Sequence, residues 1–139
     1  MDRLSGLIKM QKWQVDEKRR AIADLEGARL QLISQISGLD KDYENEKKLM
    51  GEQSIPVDFQ AFSTHYKERR ANLEKSVSEY DASIELERDA LSELYQELKQ
   101  YETVVERRKQ REKDRLNKIE QNELDEIGLN IHRKNQLSS

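Results

Sequence analysis

The chain contains no cysteine. Disulfides and thiolate metal sites are therefore excluded, and a reducing compartment suits it. Histidine is almost as scarce. His65 and His132 stand far apart, and neither has a partner at ligand spacing, so no zinc or di-iron motif is present. There is no glycine-rich phosphate loop. Carboxylates are abundant, but on a solvated helix they have no reason to shift their pKa values. The residues predict no catalytic site, no metal site and no cofactor, and hence a protein that is not an enzyme. No apolar run approaches the ~20 residues of a membrane span. The opening Met1-Asp2-Arg3-Leu4-Ser5-Gly6-Leu7-Ile8-Lys9 lacks the apolar core of a secretory signal. A soluble cytoplasmic protein without direct membrane insertion is expected.

Apolar residues are also few. They make up 35% of the 139 residues, against 38% charged, and mean hydropathy is -1.03. A compact globular core normally needs an apolar fraction of about 45–50%. A two-helix interface needs less, because each helix buries only a stripe. Net charge is -3 and the pI is near 5.6, which argues against nucleic acid as a partner. At this length a single structural unit, residues 1–139, is the expected organisation.

The few apolar residues are regularly placed. Leu4, Ile8, Gln11, Val15, Lys18, Ile22, Leu25, Arg29, Leu32, Ile36, Leu39, Tyr43, Glu46 and Met50 follow one another in steps of three and four. Beyond Pro56, the one proline, the alternation resumes through Phe59, Ser63, Tyr66, Arg70, Leu73, Val77, Tyr80, Ile84, Glu87, Leu91, Leu94, Leu98, Tyr101 and Val105. Such spacing makes the seam of a coiled coil. The predicted fold is all-α: an antiparallel two-helix coiled-coil hairpin with helix two longer than helix one. Helix one spans about 3–50 and the turn 51–58. Helix two spans about 59–127, with an overhang at 106–127 and a flexible tail at 129–139. Gly51 is expected as a left-handed cap, Ile55 as extended before Pro56, Asp58 as the N-cap of helix two, and Gly128 as its stop.

Setting Met50 opposite Phe59 fixes a register. Tyr43 then faces Tyr66, Ile36 faces Leu73, Leu25 faces Ile84, Val15 faces Leu94, Ile8 faces Tyr101 and Leu4 faces Val105. Helix two loses its apolar stripe where helix one runs out, which favours an intramolecular hairpin, monomeric when free. Polar seam residues choose alignment at a cost in stability, or are simply tolerated in a solvent-lapped interface. Lys18 is within reach of Glu87, and Arg29 faces Tyr80, a ring on which a guanidinium can stack.

Three surfaces suggest partners. Trp13 points away from the seam with Met10 one turn before it; tryptophan is enriched in binding hot spots. The alternative is that Lys9 or Glu17 covers it. At the tip, Phe62 and Leu49 flank the seam beside Tyr43, Met50, Phe59 and Tyr66, either as a contact surface or as a plug that seals the turn. The overhang carries Arg107, Arg108, Lys109, Arg111, Lys113, Arg115 and Lys118 against Glu106, Glu112 and Asp114. Arginine-rich helices bind phosphates, nucleic acid or acidic protein surfaces, but the interleaved acids and the acidic stretch that follows argue against DNA. The overhang is otherwise an ordinary solvated helix held by pairs such as Glu112 with Arg108 and Arg115. A lone helix of this length is marginal in water, so a receiving partner would explain its helicity.

The opening Asp2-Arg3-Leu4, Leu7-Ile8-Lys9 and Gln11-Lys12-Trp13-Gln14-Val15-Asp16-Glu17-Lys18-Arg19-Arg20, with Tyr66-Lys67-Glu68-Arg69-Arg70-Ala71-Asn72-Leu73, resembles the flagellar export protein FliJ family, in its alphaproteobacterial branch. The resemblance covers nearly the whole chain. It implies a coiled coil similar to the central stalk of rotary ATPases, at the cytoplasmic face of the flagellar base. Such a protein docks its free helical end into the export ATPase hexamer, contacts the membrane export gate protein and helps recycle export chaperones. Carried onto this chain, the ring-facing residues would be Trp13, Arg107, Arg108, Lys109, Arg111, Lys113 and Arg115, and the gate-facing residues Tyr43, Phe62 and Tyr66. A structural coiled-coil spacer, or an injectisome counterpart, is the alternative.

Overall fold

The computed structural model describes residues 3–53 and 56–138. The chain forms two α-helices, α1 (Arg3–Gln53) and the longer α2 (Pro56–Leu137), with no strand among the described residues. Every position of the predicted grid, Leu4 to Met50 on α1 and Phe59 to Val105 on α2, is buried or half-buried. Most other positions are exposed. This is the burial expected of a helix that hides one stripe and leaves the rest to water.

Contacts gather into two compact units. The first comprises Lys12–Tyr95. Its core is Val15, Ile22 and Ile84, exposed by only 3, 8 and 5%. Lys18 meets Glu87, Glu26 meets Arg88, Arg29 meets Asp81, Asp40 meets Arg70 and Tyr43 meets Ser63. From Glu26 to Tyr43, rising numbers on α1 meet falling numbers on α2, so the helices run antiparallel, in the expected register. The second unit joins the first turns of α1, to Gln11, with α2 from Gln96 onward. Here Leu98 is buried, and Gln11, only 7% exposed, donates from Nε2 to Glu97 Oε2 at 2.8 Å. A buried amide left without a partner costs about 1–3 kcal/mol. Among the described residues no buried side-chain nitrogen or oxygen lacks one.

Lys18, Arg29 and Arg70 find partners across the interface. Lys18 Nζ lies 2.8 Å from Glu87 Oε2, as the register predicted. Arg29 pairs with Asp81, a charge-assisted bond stronger than a neutral one. Both members of the Lys18–Glu87 pair are about a third exposed, so the bridge contributes at most ~1 kcal/mol. Replacing both by leucine (K18L/E87L) is therefore expected to raise the thermal midpoint, since paired apolar groups outperform a seam ion pair. Glu87→Leu alone should lower it by stranding Lys18. Melts followed by circular dichroism at 222 nm check the order, and a double variant less stable than Glu87→Leu alone would refute it.

The helix ends differ from expectation. Gly51 lies inside α1 and has no positive φ, so it is not a left-handed cap. α2 begins at Pro56, where the missing N–H costs nothing, which puts Asp58 inside the helix and not at its cap. The predicted extended Ile55 lies outside the described residues. Gly128 does not stop α2, which continues to Leu137 through most of the segment expected as a tail. One helical glycine costs only ~1 kcal/mol, and the flanking helix formers outweigh it.

Candidate partner-binding surfaces

Every described residue from 106 to 138 is exposed, including the ring-facing candidates Arg107, Arg108, Lys109, Arg111, Lys113 and Arg115. Local pairs support this stretch as a helix. Arg115 holds Glu112 through Nη2 at 2.7 Å and Nε at 3.2 Å, Gln110 donates to Asp114 at 3.0 Å, and Gln121 donates to Asp125 at 3.3 Å. Hydrogen bonding to Arg115 holds the Glu112 carboxyl below its ordinary pKa. Arg115 thus spends its fork within its own helix, as the sequence suggested, while Arg107 and Arg111 line the same exposed stretch.

Trp13 belongs to the Lys12–Tyr95 unit and is 63% exposed. The neighbouring Glu17 carboxylate accepts from Arg20 at 3.1 Å. The indole borders an open groove of ≈ 390 Å³ with Gln14, Glu17, Lys18, Ala21 and Leu94. An exposed indole at the rim of a concavity can anchor a partner side chain.

Tyr43, Phe62 and Tyr66 are brought together. The Tyr43 ring stacks on Tyr66 with centroids 4.1 Å apart, and lies 6.1 Å from Phe62 and 6.0 Å from Phe59. All four are half-buried, and stacked rings contribute about 0.5–1.5 kcal/mol per pair beyond area burial. The arrangement is that of a half-buried plug between the helices.

Beside it lies a polar cluster that the sequence did not reveal. Tyr66 donates its hydroxyl to Asp40, and Arg70 donates to the same carboxylate from Nε at 2.9 Å and Nη2 at 3.3 Å while also holding Glu74. The usable signal was Arg70 itself, a guanidinium in a seam and so in need of an acid. A second cross-helix clamp, Arg19 on Tyr95, sets the guanidinium carbon 5.2 Å from the ring centre and was likewise not predicted.

The bonds from Arg70 and then Tyr66 hold the Asp40 carboxyl below its ordinary pKa, and the bond to Asp40 raises that of the Tyr66 phenol. The lowered Asp40 value gives stability that is present above the ordinary carboxylate pKa near ~3.9. It is lost as pH falls through the lowered value. The raised Tyr66 value gives stability that is present below about pH 10 and lost as pH rises through the raised value. The thermal midpoint of the chain should therefore exceed that of Asp40→Asn by a constant margin at neutral pH, and the margin should close on acidification below about pH 4. A margin unchanged down to pH 2 would contradict this assignment.

A family model described as Flagellar FliJ protein matches residues 1–137. Two curated relatives named Flagellar FliJ protein, from Caulobacter vibrioides strains NA1000 / CB15N and ATCC 19089 / CIP 103742 / CB 15, are each 26% identical to this chain over 126 residues. The aligned part covers 90% of this chain and 91% of each relative. Caulobacter is an alphaproteobacterium, the branch whose opening motif this chain resembles. No solved structure matches the chain. A seam of the predicted period, two helices of unequal length and a match along almost the entire sequence converge: the chain belongs to the flagellar FliJ family and is a component of the flagellar export apparatus.

Proposed function

We propose that this chain is a stalk-like adaptor that binds the flagellar export ATPase ring and stimulates its hydrolysis. In this role it works in the cytoplasm at the flagellar base, linking the ring to the export gate and to export chaperones. The observation that supports this most is the exposed helical stretch that begins at Glu106, with its run of basic side chains. A stretch that buries nothing of its own has its whole circumference available to a receiving cavity, and its charge suits an acidic lining. Arg107, Arg108, Lys109, Arg111, Lys113 and Arg115 would make the ring contacts, and exposed Trp13 would supply an apolar anchor. Tyr43, Phe62 and Tyr66, each half-buried, would contact the gate through the parts left exposed. Among the described residues no helix is long and apolar enough to cross a membrane, so contact with the gate would be peripheral.

The test is direct. Purified chain added to the export ATPase should co-sediment with the assembled ring and raise its rate of ATP hydrolysis. Failure of the intact chain to bind would refute the function itself.

A further inference from the structure

The cations from Arg107 to Lys118 are not equivalent. At 3.6 residues per turn, Arg107, Arg111 and Lys118 fall within about 40° of one another around α2. They form a line roughly 16 Å long at ~1.5 Å per residue. It faces away from the side that carries buried Leu98 and half-buried Tyr101 and Val105. Among the described residues none of the three enters an ion pair. Asp114 stands at the edge of the line, but its carboxylate accepts from Gln110 at 3.0 Å.

The other cations are placed less favourably for an acidic partner. Arg108 and Arg115 share a second side of the helix with Glu112, and Arg115 gives that carboxylate two bonds, at 2.7 and 3.2 Å. Lys109 and Lys113 share a third side with Glu106 and Glu120, one carboxylate for each cation. A carboxylate interleaved with cations repels an acidic surface that its neighbours attract, and such like-charge contacts are what an interface selects against. The line of Arg107, Arg111 and Lys118 has three cations to one carboxylate and is the most cationic of the three sides.

We infer that Lys118 is a specificity-determining contact for the export ATPase ring, acting with Arg107 and Arg111 as one cationic edge that meets a row of carboxylates on the ring. The inference rests on the ring-binding role proposed above and extends its contacts by a residue at the far end of the basic run. Arg115 acts chiefly as a positioning residue, because its fork is spent on Glu112 away from this edge. The overhang therefore engages the ring by one side and not by its whole circumference.

The affinity of the full chain for the assembled ATPase ring, measured by co-sedimentation at low salt, tests this. Lys118→Gln should weaken binding about five- to tenfold, and Arg115→Gln should weaken it less. Lys134→Gln removes the same charge from the opposite side of α2, near its end, and should bind within about twofold of the parent. Lys118→Arg, which keeps the charge, should bind like the parent. The Lys118→Gln deficit should shrink as salt rises, because screening removes the attraction that the variant lacks. Circular dichroism should show one helicity for all, since the three positions are exposed. Equal affinities of Lys118→Gln and Lys134→Gln, beside a parent that binds, overturn the inference and leave the ring-binding role standing. So does a loss from Arg115→Gln as large as that from Lys118→Gln. Failure of the parent to bind overturns both.

Discussion

Ile84→Asp is expected to cost about 4 kcal/mol or more and to melt the two-helix pairing of the Lys12–Tyr95 unit. Ile84 is only 5% exposed and stands on the α2 seam at the level of Leu25 in the predicted register. Shortening it to alanine would already lose about 2–5 kcal/mol of transfer and cavity energy. Aspartate adds a carboxylate to an apolar layer, and it must either desolvate its charge or take up a proton. Coiled-coil stability rests on few layers, so one ruined layer near the middle of a stripe has no neighbouring core to absorb it. Circular dichroism at 222 nm should show the loss at room temperature. Leu86→Asp, at a position 70% exposed on the same helix, should melt like the parent chain. Equal melting of the parent and Ile84→Asp chains would remove the seam as the source of stability.

R107E/R108E/R111E should weaken binding to the export ATPase by roughly a hundredfold or more, and the stimulation of hydrolysis with it. The basis is that each like-charge contact costs on the order of a kcal/mol or more at an interface, and about 1.4 kcal/mol is a factor of ten. All three positions lie in the exposed stretch, and glutamate is as good a helix former as arginine, so the melting curve should barely move. That separation distinguishes a docking defect from a folding defect. Rising salt should erode the parent's affinity toward the variant's. Undiminished binding by the variant would withdraw these arginines from the contact while leaving the adaptor role to be carried by other residues.

Much of the fold was legible because the coiled-coil signal is local and repetitive. Leu4 to Met50 and Phe59 to Val105 each repeat the same three-and-four step, and each such residue is covered in the structure. The Lys18–Glu87 bridge followed from that register with no further information. The surfaces were legible only as exposed or covered. Trp13 could be placed on the outer side, but how much of the indole stays open, 63%, depends on side-chain torsions that spacing does not carry. Tyr43, Phe62 and Tyr66 could be assigned to the turn end, but their face-to-face stacking depends on ring torsions that no periodicity encodes.

The sequence by itself determined that there are two helices, which stripe each buries, in which direction they meet, and to which family they belong. These follow from a repeat in which every seven-residue unit casts the same vote, so single exceptions are outvoted. Only the tertiary structure decided where the helices end and which partners the seam arginines take. Arg29 goes to Asp81, and Arg70 is shared between Asp40 and Glu74. Helix ends turn on differences of about 1 kcal/mol, such as a glycine tolerated at 51 or 128. Ion pairs turn on which of several carboxylates within a side chain's reach is nearest in space, and linear spacing does not carry that distance.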